Sequence, residues 1–163
     1  MRWWLGGSVF SVLVLLVGTI AVSGSISHHH DNGTSTFTGV TRLAVDGPDV
    51  DVTIRRGGPS VVVHRRTSWS WARPVVSEHQ VGQTLTVSAT CTDERGVDVT
   101  VNCAIRYEIE VPSEVDVTAS VERISVAGLT GRLDLTASGP ITVTGRPAEL
   151  AAHSRTGRVD VRP

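Results

Sequence analysis

Few residues of this 163-residue sequence have the types and spacing that chemistry requires. The run His28-His29-His30-Asp31 offers three adjacent imidazoles, and His-rich tracts sometimes bind transition metals. Consecutive side chains on a flexible chain do not make a tetrahedral ligand set, however, and no second pair of ligands accompanies them. The sequence therefore predicts no metal site at this run.

Two groups of carboxylates are the next candidates. Asp46, Asp49 and Asp51 surround a Gly-Pro turn, but they match neither an EF-hand loop nor a glycine-rich calcium repeat. Glu108 and Glu110 alternate along one strand, so a solvated outer face is the expected environment. The sequence contains no nucleophile elbow, P-loop, dinucleotide fingerprint or H-E-x-x-H motif. We therefore predict a protein without catalytic residues, metal ligands or a cofactor.

One aromatic pair could contact a ligand. Trp69 and Trp71 share one face of an extended segment, and arginines flank them. Trp and Arg dominate binding hot spots, so Trp69, Trp71 and Arg73 form a candidate interaction patch for a sugar, a lipid headgroup or a protein. The alternative, which we favour, is that the two indoles cap the open end of an aliphatic core.

Charge and composition narrow the class of protein. The 15 basic and 16 acidic residues give a net charge of -1, which leaves no electrostatic footprint for nucleic acid. Aromatic residues make up only 4% of the chain, so the core must be aliphatic. The length predicts one domain with an appendage.

That appendage is the uncharged N-terminal segment, residues 1–27. As a helix, its apolar run would be about 37 Å long, enough to cross a hydrocarbon layer of about 30 Å. Arg2 precedes the run, so the N-terminus is expected in the cytoplasm, with Trp3 and Trp4 at the membrane interface. A signal peptide cleaved at residues 21–23 is the alternative. We favour a single-pass plasma-membrane anchor with an extracellular domain over a secreted protein.

The next segment, residues 28–36, is rich in polar and small side chains and is expected to be a flexible linker. A β domain is then predicted over residues 37–163. Its turns carry glycine and proline, and its strands alternate β-branched apolar residues with polar ones. This alternation directs the apolar side chains to one face of each strand. The predicted fold class is therefore all-β.

Cys91 and Cys103 are the only cysteines. An even count in an exported domain predicts one disulfide, which should stabilise the fold by about 3 kcal/mol. A catalytic thiol is the alternative, but the sequence has no C-x-x-C motif. A tight hairpin between the two residues would not place them opposite each other. The bond therefore predicts a wider loop, or strands from neighbouring coils.

A repeat organises the last third of the chain. Three segments echo each other at a spacing of 26 residues: 106–109, 132–135 and 158–161. A fixed period of this size indicates stacked repeats, here a short β-solenoid with three strands in each coil of about 26 residues. A two-sided coil of about 17 residues also fits the apolar spacing. It would break the match of the charged segments, so we prefer three faces.

The chain resembles the bacterial putative-adhesin β-solenoid ectodomains, a membrane-anchored family common in actinobacteria and other Gram-positive bacteria. The similarity spans residues 37–163, after the N-terminal membrane segment. Its motifs are a G-P-D-V-D-V strand, a spaced cysteine pair, an I-E-V-P-S-E-V-D-V stretch and two G-x-[LV]-x-[LV] repeats, found at Gly47–Val52, Cys91 and Cys103, Ile109–Val117, Gly131 and Gly157. The resemblance implies a surface-exposed β-solenoid and no catalytic residues.

These features predict a non-enzymatic adhesion or protein-interaction module of the bacterial envelope. The sequence ends at Pro163 soon after its last strand, so we expect an uncapped edge that binds a protein or glycan partner, or a second copy of the chain. The candidate edge consists of Arg158, Val159, Asp160 and Val161. A small extracytoplasmic carbohydrate-active enzyme and an envelope-stress accessory or sensor protein are the alternatives.

Overall fold

A computed structural model describes residues 28–70, 73–91 and 103–163. Within these ranges the fold is all-β, as predicted, with eleven strands and no helix. The strands are β1 (His29–Phe37), β2 (Arg42–Arg56), β3 (Val61–Trp69), β4 (Val75–Val81), β5 (Thr84–Thr90), β6 (Ala104–Val111), β7 (Asp116–Ala127), β8 (Arg132–Ala137), β9 (Ile141–Thr144), β10 (Glu149–Ser154) and β11 (Val159–Arg162).

The predicted membrane segment, residues 1–27 with Trp3 and Trp4, lies outside the described residues. No helix in the described ranges has the length and apolar character needed to cross a membrane.

The strands pair in two ladders that share the long strands β2 and β7. The first ladder has the order β4-β5-β2-β7-β8-β10, and the second has the order β1-β3-β6-β2-β7-β9-β11. The first half of β2 pairs with β5 and its second half with β6. Its register against β7 shifts between Gly47 and Asp51, where the strand passes from one ladder to the other.

The coil period differs from the 26 residues that the charged segments suggested. Parallel partners in the C-terminal half lie 16 to 18 residues apart along the chain. Leu133, for example, is level with Val117 on one side and Leu150 on the other. The three-strand coil of about 26 residues is therefore wrong, and the two-sided spacing that we had considered second is observed.

The charges explain why the shorter period is the stable one. A 26-residue coil would stack Arg106, Arg132 and Arg158 in one column of like charges. In the observed register, Arg132 instead lies between Asp116 and Glu149, and its Nε is 2.7 Å from a Glu149 carboxylate oxygen. Opposite charges on neighbouring strands stabilise pairing, whereas like charges oppose it.

Inward-facing side chains of both ladders form one hydrophobic cluster, and the cluster is aliphatic as composition required. Tyr107 is the single buried aromatic side chain among the described residues. Alternation along each strand produces this core. In β8, for example, Leu133 and Leu135 are buried while Arg132 and Asp134 are exposed.

The segment expected to be a flexible linker is instead part of the sheet. Residues 28–36 largely form strand β1, which pairs antiparallel with β3 along its whole length, from His29 opposite Trp69 to Phe37 opposite Val61. The prediction failed because it rested on polar composition. Backbone hydrogen bonds to β3 hold this edge strand, and such bonds do not depend on apolar side chains.

Candidate functional site

The predicted disulfide is present. Cys91 and Cys103 are bonded, with their Cα atoms 6.0 Å apart. Cys91 follows β5 in the first ladder and Cys103 precedes β6 in the second, and both strands pair with β2. The bond therefore joins the two ladders where β2 bends. This arrangement agrees with the expectation that the bond closes a wider connection than a tight hairpin.

Of the candidate interaction patch, the structure describes Trp69 and Arg73; Trp71 lies outside the described residues. The Trp69 ring is half-buried at the end of β3, where it stacks on His29 with the ring centroids 5.7 Å apart. The Arg73 guanidinium lies 5.9 Å from the centre of the indole. Trp69 thus contacts residues of its own chain, as expected of an indole that caps the core.

An ion-pair network beside Trp69 was missed by sequence reasoning. Arg65 lies on the inward-facing side of β3, in phase with the buried Val61 and Val63. Its Nη1 donates a hydrogen bond of 3.0 Å to Oε1 of Glu78 on β4, and both side chains are mostly buried. Because β3 belongs to the second ladder and β4 to the first, this ion pair ties the two ladders together.

Asp31 on β1 extends the network. Its Oδ2 lies 3.6 Å from Nη2 of Arg65 and 3.0 Å from Nη2 of Arg73. Gly33 leaves room for the Arg65 guanidinium, since a Cβ atom there would lie 2.8 Å from Nη2. The strand alternation contained a signal for this network, because Asp31, Arg65 and Glu78 all occupy inward-facing positions of their strands.

Tyr107 lies beneath this network. Its side chain is fully buried, and burial raises its pKa from the ordinary value of about 10 to about 12. The nearby charge of Glu78 raises the pKa further, whereas Arg65 lowers it. Although both side chains act on the hydroxyl, it has no hydrogen-bond partner of acceptable geometry in the described part of the chain.

Tyr107→Phe should make the fold less sensitive to alkaline pH. Between pH 10 and pH 12 the unfolded wild-type chain loses a phenolic proton that the folded chain retains, so the free energy of unfolding falls as pH rises. The loss should reach about 2 to 3 kcal/mol by pH 12. Urea unfolding at pH 8 and above pH 10 measures it, and parallel losses in both proteins would contradict the prediction.

The same residue allows a direct titration. Tyr107 is the only tyrosine in the sequence, so tyrosinate absorbance of the native protein reports this hydroxyl alone. We expect ionisation well above the ordinary pKa of about 10 while the fold persists.

The predicted edge lies at the opposite end of the second ladder. Strand β11 pairs with β9 and with no other strand of the described chain. Val159 and Val161 point in the same direction as the buried Ile141 and Val143 of β9, yet they are 39% and 48% exposed. Arg158 lies just before the strand, where its carbonyl oxygen accepts a hydrogen bond of 3.0 Å from the Ile141 N–H. The four predicted edge residues are thus brought together.

The acidic residues at the bend of β2 are engaged by arginine rather than arranged around a cation. Asp51 lies between two register partners, with its Oδ2 3.0 Å from Nη1 of Arg123 and 3.9 Å from Nη2 of Arg106. Asp49 lines a small cavity nearby with Glu122. Among the residues described, no group of three His, Cys, Asp or Glu side chains could hold a metal ion.

Comparison with known proteins relates this architecture to solved structures. No protein-family model and no curated protein sequence matches the chain. The crystal structure of a putative cell adhesion protein from Clostridium sporogenes matches with a TM-score of 0.52 and 8% identity, over 82% of this chain and 99% of that one. A putative adhesin from Parabacteroides merdae matches at 10% identity over 82% and 96% of the two chains, but its TM-score of 0.33 is too low to carry an argument. The chain therefore has a putative-adhesin-like fold.

Proposed function

We propose that this chain is a non-enzymatic interaction module of the bacterial cell surface, and that strand β11 binds a protein partner by strand addition. Its C-terminal half, β7 to β11, acts in this proposal as a short two-sided β-solenoid that presents the edge. The fold shared with a protein described as a putative cell adhesion protein supports a binding role rather than catalysis.

The exposed edge of β11 is the observation that carries the proposal. An edge strand presents unpaired backbone N–H and C=O groups, which an added strand can satisfy. Val159 and Val161 continue two apolar rows that run through Ile124 and Ile141 and through Val126 and Val143. A partner strand with apolar residues at alternate positions would cover both valines and extend the core.

A second copy of the chain is a poorer partner for this edge than another protein. In-phase antiparallel pairing of two β11 strands about Asp160 would place Asp160 opposite its own copy and Arg158 opposite Arg162. Like charges directly opposite each other destabilise strand pairing. We therefore favour a different protein, whose strand carries a basic residue opposite Asp160 and acidic residues beside it.

The location completes the proposal. Residues 1–27 would anchor the chain in the plasma membrane, with Trp3 and Trp4 at the interface and the β domain outside; secretion after cleavage is the alternative. Mass spectrometry of the N-terminus of the cell-associated protein separates the two. Retention of Arg2 supports the anchor, and an N-terminus near Gly24 supports secretion.

The edge is tested by an inward-pointing charge. Val161→Lys should reduce partner crosslinking on intact cells about tenfold or more, because a lysine at an alternate position of an edge strand opposes strand addition. Val81→Lys is the matched control, since Val81 is a 72% exposed valine on β4, an edge strand of the first ladder. Mass spectrometry of crosslinked peptides reports whether the contact lies at β11.

Two results would contradict the proposal. Equal capture by Val161→Lys and the wild type would show that β11 is not the binding edge. Equal loss in Val81→Lys and Val161→Lys would show an unspecific effect of added charge. Both variants should unfold at the wild-type urea concentration, because each substitution lies on an exposed edge.

A further inference from the structure

A polar column crosses the outer face of the first ladder. Asp46 on β2, Ser120 on β7, Thr136 on β8 and His153 on β10 are successive register partners, so their side chains stand in line across four neighbouring strands. Three interstrand spacings of about 4.8 Å make this column about 14 Å long.

A groove follows the column at the corner where the strands leave the first ladder. The cavity measures about 290 Å³ and is lined by the four side chains of the column together with Ser138, Arg155 and the ring of Pro48. We call it the corner groove. It lies on the side of the sheet opposite the core and apart from the β11 edge.

The charged groups of the corner groove are free to bind a ligand. The side chains of Asp46, His153 and Arg155 form no hydrogen bond or ion pair with any part of the chain that the structure describes. The outer face of the second ladder differs, because there Asp51 is already engaged by Arg106 and Arg123. The corner groove thus presents a carboxylate, an imidazole and a guanidinium that have no internal partner.

Backbone hydrogen bonds hold the wall of the groove. The Ser138 N–H donates to the Val121 carbonyl oxygen at 3.1 Å, and the Arg155 N–H donates to the Ala137 carbonyl oxygen at 2.9 Å. The Thr156 hydroxyl donates to the Ser138 carbonyl oxygen at 2.5 Å. A site on such a backbone is ordered before its ligand arrives, so binding loses little conformational entropy.

We propose that the corner groove binds an acidic oligosaccharide of two or three sugar rings. Sugar hydroxyls both donate and accept hydrogen bonds, which suits the alternation of Asp46, Ser120, Thr136 and His153 along the column. A uronic-acid carboxylate would take the Arg155 guanidinium, which binds carboxylates in a bidentate manner. The exposed Pro48 ring offers an apolar surface to the C–H face of a sugar.

The chemistry favours a sugar over a peptide. Peptides commonly bind sheets by adding a strand to an edge, where backbone groups are unpaired. Three of the four strands under the column, β2, β7 and β8, are inner strands whose backbone groups are already paired on both sides. The groove therefore offers side-chain groups along most of its length, and these match a chain of hydroxyls.

The test is isothermal titration of the full-length chain with trigalacturonate, using its neutral methyl ester as the matched ligand. We expect binding of the acid and weaker binding of the ester. Arg155→Gln should weaken binding of the acid about tenfold or more, since it removes a charge-assisted hydrogen bond. Arg158→Gln is the control, because Arg158 is an exposed arginine outside the groove and has no ion pair among the described residues.

A second pair of variants tests the column without changing charge. Thr136→Val should weaken binding, whereas Thr118→Val, which alters an exposed threonine of β7 outside the groove, should not. The proposal is overturned by any of four results: no binding of trigalacturonate at millimolar concentration, equal binding of its ester, equal losses within either pair of variants, or equal affinity for triglutamate. These outcomes do not depend on the β11 edge, so either proposal can fail alone.

Discussion

Arg65→Leu should lower the free energy of unfolding by about 3 to 5 kcal/mol. The substitution leaves the Glu78 carboxylate without its guanidinium, and that carboxylate is only 9% exposed. It also removes one of the two arginines beside Asp31. The penalty arises mainly from an uncompensated buried charge, because the ion pair itself gains little over an apolar pair of the same size. Urea unfolding at neutral pH measures the effect.

The double variant Arg65→Leu/Glu78→Leu separates this cause from a loss of packing. With both charges replaced by apolar side chains, we expect most of the lost stability to return. Arg66→Leu provides the matched control on the same strand. Its guanidinium is 65% exposed and lies 3.9 Å from Glu108, so its loss should cost less than about 1 kcal/mol. A double variant no more stable than Arg65→Leu would disprove the explanation.

Gly131→Ala should destabilise the fold by about 3 kcal/mol. A Cβ atom at this position would lie 2.4 Å from the Val115 carbonyl oxygen and 2.7 Å from the Val115 carbonyl carbon. Backbone atoms cannot move aside as a flexible side chain can, so the substitution forces β8 away from β7. The Gly131 N–H also donates a hydrogen bond to the Ser113 carbonyl oxygen at 3.2 Å, and the shift would break it.

Gly58→Ala is the matched control for this prediction. No atom lies within 4 Å of a Cβ built at Gly58, and its backbone does not adopt a positive φ. The substitution should be neutral or stabilise the fold by up to about 1 kcal/mol, because alanine reduces the conformational entropy of the unfolded chain. Thermal unfolding of the two variants compares them, and similar melting temperatures would show that the close approach at Gly131 is not limiting.

Strand alternation alone determined the fold class and the direction of most side chains. Leu85, Val87, Ala89 and Cys91 share the inward phase of the first ladder, and all four are buried. The same phase placed the two cysteines where they could bond. These properties follow from the period of two in a strand, which is local and therefore visible in the sequence. The inward phase of Arg65 was equally readable, but its partners on β1 and β4 were not.

Only the tertiary structure decided which strands are neighbours. A period of two repeats within each strand and contains no information about its partner, so coils of 17 and 26 residues fitted the apolar pattern equally well. Charge pairing across strands, as at Arg132, favours the shorter coil. Strand β1 and the corner groove were hidden for the same reason. Backbone bonds to β3 hold the polar β1, and the groove unites side chains from four strands that are far apart in the sequence.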